Sequence, residues 1–284
     1  MPISWKEKVK LLVKEGGIRP SKAKGQSFLV DEHVTEQMVA IAGVNKNTSV
    51  LEIGPGLGIM TERLVKEAKK VLAVELDNKL YQLLEQVFYN QQNLTLRHED
   101  ILDVPLAEIV KCLGREYIIV ANIPYAISSP LFKKFLTQEP KPKTMTVLVQ
   151  KEVAERITAG VGGTSLLSLA VQTYGKPEMM ELVPKEAFYP VPKVTSAILH
   201  VDLSKPGLKF KNKEEEKRFW QVARIGFSAR RKQLHNNLVA GLMMTQERVK
   251  EVLEAVGIEE KARPQELTLE QQQSQSSNLE TEKN

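Results

Sequence analysis

Short apolar strand patterns alternate with amphipathic helical patterns along the first half of the chain. The predicted strands cover residues 50–53, 71–76, 94–98, 117–121 and 145–150, and the predicted helices cover residues 59–68, 78–89, 130–136 and 151–159. This alternation is typical of parallel strands joined by right-handed helical crossovers. The sequence therefore predicts an α/β fold with an open, doubly wound sheet. Two later strand patterns, at residues 179–183 and 196–201, are expected to add a pair at one edge.

The pattern changes after residue 207. Residues 214–240 and 245–256 are predicted to be helical, with no strand pattern among them, so we expect a small all-helical domain over residues 208–268. Residues 25–207 then form the sheet domain, and residues 1–24 form a basic extension that includes an amphipathic helix. Residues 269–284 are rich in Gln and Ser and poor in apolar side chains, which predicts a polar, disordered tail.

Composition excludes several classes of function. The chain is 42% hydrophobic and 26% charged, which is ordinary for a soluble globular protein. No apolar stretch approaches the length of about 18 residues that crosses a bilayer, and the start lacks the apolar core of an export signal. Cys112 is the single cysteine, which excludes an internal disulfide and a cysteine-cluster metal site. We therefore expect a cytoplasmic protein with no membrane role and no metal.

Positive charge is unevenly distributed. The net charge is +5, and residues 1–24 contain seven Lys and Arg residues but only two Glu residues. A second cluster, in a predicted helical region, consists of Arg224, Arg230, Arg231 and Lys232. Either cluster alone is as well explained by a solvated surface. Two such clusters in one chain favour an anionic polymer as substrate, and we predict that the second one contacts RNA phosphates.

Residues 52–58, Glu-Ile-Gly-Pro-Gly-Leu-Gly, form a glycine-rich turn after the first strand of the predicted sheet. Such a turn lets a nucleoside-like ligand approach the backbone closely. A carboxylate at the end of the second strand, Glu75, can accept hydrogen bonds from ribose hydroxyls of either NAD or S-adenosylmethionine. Asp100 ends the third strand, where it can reach an adenine amino group. Because Glu52 suits a sulfonium cation and is unfavourable beside a pyrophosphate, the pattern favours S-adenosylmethionine.

A second motif, Asn122-Ile123-Pro124-Tyr125, follows the fourth strand. The Asn122 side-chain oxygen and the Ile123 carbonyl are suitable acceptors for both N–H bonds of an adenine amine, which would free its lone pair for attack. Pro124 fixes the loop, and Tyr125 can stack on the base. Phe188 is a candidate second stacking face, with simple core packing as the alternative. This motif predicts methyl transfer to a nucleobase nitrogen by positioning, without a catalytic histidine.

Further motifs occur in a characteristic order. They are residues 25–29 (Gly-Gln-Ser-Phe-Leu), 52–58, 122–125, 150–156, 188–194 (Phe-Tyr-Pro-Val-Pro-Lys-Val) and 230–232. On these motifs, over roughly residues 18–268, the chain resembles the ribosomal small-subunit RNA adenine N6-dimethyltransferases of the kasugamycin-sensitivity type. The resemblance implies a Rossmann-like class I methyltransferase sheet that binds S-adenosylmethionine. It also implies a monomer that methylates, twice each, two adjacent adenosines in a hairpin loop near the 3′ end of 16S rRNA, with a role in small-subunit biogenesis.

The predicted cofactor site combines the resemblance with the residue chemistry. It consists of Gln26, Ser27, Leu29, Glu52, Gly54, Gly56, Glu75, Leu76, Asp100, Ile101 and Asn122. Ser27 departs from the family, which usually has Asn or His there. Residues 164–166 replace the usual Tyr-Gly-Arg, and the usual terminal helix is expected to be replaced by the polar tail.

Two alternatives stay open at this point. One is the related class that methylates large-subunit (23S) rRNA and confers macrolide resistance. The other is a mainly non-catalytic ribosome-assembly factor that keeps the fold. The basic segment around Arg231 resembles the small-subunit enzymes and argues against the first alternative. Intact Gly54, Glu75, Asp100 and Asn122 argue against the second.

Overall fold

The computed structural model describes residues 5–15, 27–124, 127–229 and 231–279. Its helices are α1 (Trp5–Glu15), α2 (Glu32–Ile41), α3 (Ile59–Glu67), α4 (Asn78–Val87), α5 (Leu106–Leu113), α6 (Ser128–Thr137), α7 (Lys151–Thr158), α8 (Leu166–Tyr174), α9 (Lys213–Gly226), α10 (Leu234–Leu242), α11 (Gln246–Ala255) and α12 (Leu269–Asn278). Its strands are β1 (Phe28–Leu29), β2 (Ser49–Ile53), β3 (Lys70–Glu75), β4 (Leu94–His98), β5 (Tyr117–Asn122), β6 (Thr144–Gln150), β7 (Lys176–Val183), β8 (Phe188–Tyr189) and β9 (Ser196–Asp202).

The main sheet has the strand order β4-β3-β2-β5-β6-β9-β7. The first five strands in this order are parallel to their neighbours, and β9 runs antiparallel to β6. The predicted doubly wound α/β sheet is therefore confirmed, as is the added strand pair at one edge. From β2 the chain adds β3 and β4 on one side, and it then returns to the other side of β2 to add β5 and β6. Open α/β sheets bind ligands at such a switch point, which here lies between β2 and β5.

The chain divides into two compact units, residues 1–154 with 177–204 and residues 155–176 with 205–284. The first contains the sheet. Its central strands are buried along their length, as a parallel sheet covered on both faces requires. Helix α1 belongs to this unit: Trp5 and Val9 pack in its hydrophobic core, and the Lys8 Nζ lies 3.7 Å from a Glu62 carboxylate oxygen. The predicted basic extension thus includes a packed helix.

The second unit is helical and includes α8, which the sequence analysis assigned to the sheet domain. Leu169 of α8 packs in a cluster with Leu208 and Phe219, which explains why this helix belongs with the later ones. The single helix expected over residues 214–240 is wrong, because α9 and α10 are separated by a 3₁₀ turn. Asn237 stabilises that turn, since its side-chain nitrogen donates to the carbonyls of Gly226 at 2.6 Å and Ala229 at 3.1 Å.

The prediction of a disordered tail is wrong over the ten residues of α12. Thr268 and Gln271 cap the helix reciprocally, each side chain bonding the other residue's backbone. Gln272 is buried and donates to the Pro264 carbonyl at 2.8 Å, and the buried Gln275 donates to the Gln272 side-chain oxygen at 2.7 Å. Hydrogen bonds of buried glutamine side chains therefore hold this helix in place, where its sequence provides few apolar contacts. Residues 280–284 lie outside the described residues.

Four helices of the described structure, α2, α5, α8 and α12, were not predicted from the sequence. Within the described ranges, no helix is long and apolar enough to cross a membrane. The same ranges contain no group of three or more His, Cys, Asp or Glu side chains placed to hold a metal ion.

Candidate active site

A cavity opens at the carboxyl ends of β2, β3 and β5, within the sheet unit. Strands β2 and β5 are paired so that Ile53 lies beside Ala121, which places the glycine-rich turn next to the Asn122 loop. Nine predicted site residues line the cavity together: Ser27, Leu29, Glu52, Gly54, Gly56, Glu75, Asn122, Ile123 and Pro124. Residues far apart in sequence therefore meet where the strand order reverses, as ligand sites of open α/β sheets do.

Other predicted residues do not line this cavity. Leu76 is exposed after β3, while Asp100 and Ile101 begin the turn after β4. Phe188 lies in β8 and is buried in the hydrophobic core. In the structure it packs against other core side chains, and its role in stacking on a base stays a prediction. Gln26, Tyr125 and Arg230 lie outside the described residues.

Several cavity residues were missed by the sequence reasoning: Phe28, Pro55, Leu57, Ile59, Met60 and Leu80. Phe28 lies within the 25–29 motif, Pro55 and Leu57 lie within the glycine-rich turn, and Ile59 and Met60 follow that turn, so proximity in sequence was the available signal. Leu80 is the exception, because it reaches the cavity from α4 and only tertiary packing brings it there.

The glycine turn has a backbone that other residues would strain. Gly56 has φ +60°, and a Cβ added there would lie 3.2 Å from the Phe28 ring. Gly58 has φ +85°, and its added Cβ would lie 2.7 Å from the Phe88 ring. Glycine is thus required both for the left-handed conformation and for the close packing of aromatic side chains. The open backbone of this turn is the cradle that a nucleoside ligand needs.

Glu75 connects the turn to the end of β3. One carboxylate oxygen accepts from the Gly56 amide at 3.0 Å, and the other accepts from the Asp77 amide at 2.9 Å. The side chain is only 6% exposed, and burial raises the pKa of Glu75 while these amides oppose the rise. Since each carboxylate oxygen has a second acceptor site, Glu75 can still accept from two ribose hydroxyls.

Glu52 is buried at the same edge of the sheet. Thr61 of α3 donates its hydroxyl to a Glu52 carboxylate oxygen at 2.8 Å. Burial raises the pKa of Glu52 to about 8; the Thr61 hydrogen bond lowers it, and the charge of Glu75 raises it further. Glu52 is therefore mainly protonated at neutral pH in the described structure. A ligand cation would favour its ionised form, which suits a sulfonium or ammonium group.

We expect Glu52 to make the sheet unit less stable as the pH rises. The ordinary pKa is 4.5 and the folded value about 8, so the folded state binds the extra proton between these values. Unfolding free energy therefore falls across this range, by up to about 5 kcal/mol for one such group. In Glu52→Gln, whose side chain stays neutral, the unfolding free energy should decrease less over this pH range. Urea unfolding followed by Trp5 fluorescence in a Trp220→Phe background measures this free energy at each pH. Equal slopes of unfolding free energy against pH in parent and variant would contradict the prediction.

Asn122 ends β5 and is half-buried. Its side-chain nitrogen donates to the Ser27 carbonyl at 3.4 Å, which orients the amide so that its oxygen is left to accept from a substrate. The Ile123 amide donates to the Leu148 carbonyl of β6 at 3.3 Å and fixes the start of the loop. The departure at Ser27 does not affect this contact, because the backbone carbonyl makes it.

The predicted RNA-contacting cations lie in the helical unit. Arg224 is in the last turn of α9, and Arg231 with Lys232 follows the 3₁₀ turn that Asn237 stabilises. All three are exposed, and none is ion-paired with another described residue. Exposed cations that are not neutralised by the protein are available for phosphates.

The profile of the family described as ribosomal RNA adenine dimethylase matches residues 19–278. The chain belongs to the ribosomal RNA adenine dimethylase family. It is 41% identical over 256 residues to a ribosomal RNA small subunit methyltransferase A of Dehalococcoides mccartyi, covering 89% of this chain and 86% of the relative. The protein of that name from Alkaliphilus oremlandii is 35% identical and 95% of each chain is covered.

Two solved structures are similar in fold to this adenine dimethylase. The dimethyladenosine transferase from Plasmodium falciparum has a TM-score of 0.70 at 26% identity, covering 86% of this chain and 94% of that one. The 23S rRNA methyltransferase ErmE has a TM-score of 0.69 at 25% identity, covering 89% and 99%. Both likenesses confirm the methyltransferase sheet. The higher identity to the small-subunit enzymes favours that branch over the macrolide-resistance branch.

Adenine dimethylases of this family use S-adenosylmethionine, and the cavity fits that cofactor. The positive-φ glycines give an open cradle, Glu75 offers acceptors for a ribose, and buried Glu52 suits a cationic ligand. Among the described residues, the cavity lining contains Glu52 at the glycine turn and no Lys or Arg side chain, so it offers no cation to a pyrophosphate and disfavours a dinucleotide.

Proposed function

We propose that this adenine dimethylase transfers four methyl groups to N6 of two adjacent adenosines, in a hairpin loop near the 3′ end of 16S rRNA. The substrate is the small subunit or its precursor, and the enzyme acts as a cytoplasmic monomer with a role in subunit biogenesis. One observation carries the reaction: the glycine turn and the Asn122 loop lie side by side on paired strands. The identity to small-subunit methyltransferases supports the choice of RNA.

The Asn122 loop supplies the chemistry at the nucleophile. An adenine amine is a poor nucleophile because its lone pair is delocalised into the ring. In the first transfer the Asn122 side-chain oxygen and the Ile123 carbonyl accept its two N–H bonds, which draws the nitrogen toward a tetrahedral shape; in the second transfer one N–H bond remains to be accepted. Pro124 limits the loop's freedom, and we assign Tyr125 to stacking on the base. The target adenosine must leave its stack to reach this loop.

The opposite side of the cavity holds the methyl donor. When bound, S-adenosylmethionine supplies a methyl group on a positively charged sulfur. We assign Glu75 to the ribose hydroxyls, Asp100 with Ile101 to the adenine, and Glu52 to the charged end of the ligand. The backbone of residues 54–58 would allow the nucleoside to approach closely, because Gly54, Gly56 and Gly58 carry no side chains. No general base is required, since positioning provides most of the rate increase and the methylated nitrogen, once cationic, is acidic enough to release its proton to water.

We expect the cations of the helical unit to contact RNA phosphates. Arg224→Ala and Arg231→Ala should each weaken binding of the small-subunit RNA and reduce the slope of log K against log salt by about 1. Arg248→Ala is the matched control, because Arg248 lies in the same unit but is already paired with Glu251 at 3.3 Å. Filter binding across a salt series measures the slopes. Slopes equal to that of the parent would assign these arginines to a solvated surface.

Methyl incorporation tests the proposed substrate directly. Labelled S-adenosylmethionine is supplied with unmethylated small subunits and, in parallel, with large-subunit RNA, and products are mapped by nuclease digestion and mass spectrometry. N6,N6-dimethyladenosine at two adjacent small-subunit positions is expected. Label in large-subunit RNA would instead assign the enzyme to the branch of ErmE. Cofactor binding without transfer to either RNA would favour the assembly factor.

A further inference from the structure

A buried lysine holds the turn that follows β4. Lys134 lies on α6 and is 8% exposed. Its Nζ donates to the Leu102 carbonyl at 2.8 Å and to the Val104 carbonyl at 2.5 Å. Helix α6 begins four residues after Pro124, so this lysine joins the segment behind the Asn122 loop to carbonyls 30 and 32 residues earlier in the chain.

The turn presents Asp100 and Ile101. Its internal hydrogen bonds all involve Asp100: one carboxylate oxygen accepts from the Leu102 amide at 2.8 Å, and the Asp100 carbonyl accepts from the amides of Asp103 and Val104. These bonds determine the shape of the turn but not its position. The start of the turn is held by the Glu99 amide, which donates to the Glu75 carbonyl at 3.2 Å. Lys134 reaches the far end of the turn from another element and ties it to the segment that follows Asn122.

The surroundings of Lys134 make an apolar residue the expected choice for stability. Its neighbours along α6 are Leu131, Phe132, Phe135 and Leu136, all fully buried. Burial lowers the pKa of Lys134, and the charges of Asp103 and Asp100 oppose this effect. A buried ammonium group is costly unless it is hydrogen-bonded, so the two carbonyl contacts are what make it tolerable here.

We propose that Lys134 is a positioning residue for nucleobase selection in the cofactor site. Through the Leu102 and Val104 carbonyls it sets the turn so that Asp100 and the Ile101 backbone meet an adenine and reject a purine that lacks the 6-amino group. This inference rests on the proposed function, because it requires that this turn faces the adenine of the methyl donor.

Binding of two nucleoside ligands tests the inference without RNA or turnover. Calorimetry on the full chain gives the preference for S-adenosylhomocysteine over S-inosylhomocysteine, in which oxygen replaces the 6-amino group. In Lys134→Met we expect this preference to fall by about tenfold, the effect of weakening one hydrogen bond to a charged group. Lys133→Met, a neighbouring exposed lysine on the same helix, should keep the full preference. Lys134→Arg, which retains charge and donors, should restore most of it.

A structural role alone gives a different result. If Lys134→Met weakens both ligands equally and the preference is unchanged, the inference is wrong. Hydrogen exchange in the protein without ligand provides a second readout: the amides of Asp103 and Val104 should exchange faster in Lys134→Met and at the parental rate in Lys133→Met. Unchanged exchange at both amides would also overturn it.

The role of Asp100 is tested separately. Asp100→Asn should lose the preference, because an amide can donate to the oxygen of the inosyl ligand as well as accept from the adenosyl amine. Retention of the preference in Asp100→Asn, together with its loss in Lys134→Met, would assign recognition to the backbone of the turn. That result would correct the proposed function at Asp100 and support the inference on Lys134.

Discussion

Asn122→Ala is expected to lower the rate of methyl transfer by about 10²–10³-fold, the effect of removing one group that stabilises developing charge in a transition state. The side-chain oxygen is the acceptor that frees the amine lone pair, and the loop offers no other side-chain amide. Affinity for the small subunit should change by only a few fold, because the proposed phosphate contacts lie in the helical unit. Single-turnover transfer at saturating S-adenosylmethionine measures the rate, and filter binding measures the affinity.

Two variants separate the acceptor from its orientation. Ser27→Ala keeps the backbone carbonyl to which the Asn122 nitrogen donates. Although Ser27 lines the cofactor cavity, we expect a nearly parental rate once S-adenosylmethionine is saturating. Asn122→Asp keeps an acceptor oxygen but loses that donor, so its carboxylate faces the Ser27 carbonyl and should be misplaced. We expect a rate between those of the parent and Asn122→Ala. Parental turnover in Asn122→Ala would remove the proposed mechanism altogether.

The sheet and its ligand-binding edge could be predicted from sequence because each rests on a local pattern. A glycine turn after a buried strand predicts both a strand end and a close backbone approach. Placing Glu75, Asp100 and Asn122 at the ends of successive strands required only the rule that parallel strands end at the same edge. The structure brings Glu75 and Asn122 to one cavity, and Asp100 to the neighbouring turn.

The features that were missed depend on contacts between distant residues. Helix α12 has too few apolar residues to be recognised, and buried glutamine hydrogen bonds hold it instead. Phe188 pairs with Leu29 in a two-stranded sheet, and the Phe188-Tyr189 dipeptide in sequence gives no sign of that partner. The sequence likewise does not distinguish Lys134 from the other lysines, because its burial and its two carbonyl acceptors depend on tertiary structure.

Glu75→Gln is expected to weaken S-adenosylmethionine binding by about 100-fold. A glutamine side chain has one acceptor oxygen, so its amide nitrogen must face either the Gly56 or the Asp77 amide. One of these two backbone amides then loses its hydrogen-bond acceptor. The ribose also loses a charged acceptor, and hydrogen bonds to charged groups contribute about 1.5–3 kcal/mol each. Calorimetry measures the affinity. Glu116→Gln, an exposed glutamate that pairs with Lys143 at 3.0 Å, should be parental.

Comparison with the product separates the roles of the two buried carboxylates. S-adenosylmethionine and S-adenosylhomocysteine share the ribose but differ in the sulfonium charge. Glu75→Gln should therefore weaken both ligands by a similar factor, because it acts on the part they share. Glu52→Gln should weaken S-adenosylmethionine more than S-adenosylhomocysteine, because only the first offers the extra positive charge that ionises Glu52. A loss in Glu75→Gln confined to S-adenosylmethionine would mean that Glu75 acts through charge and that another group holds the ribose.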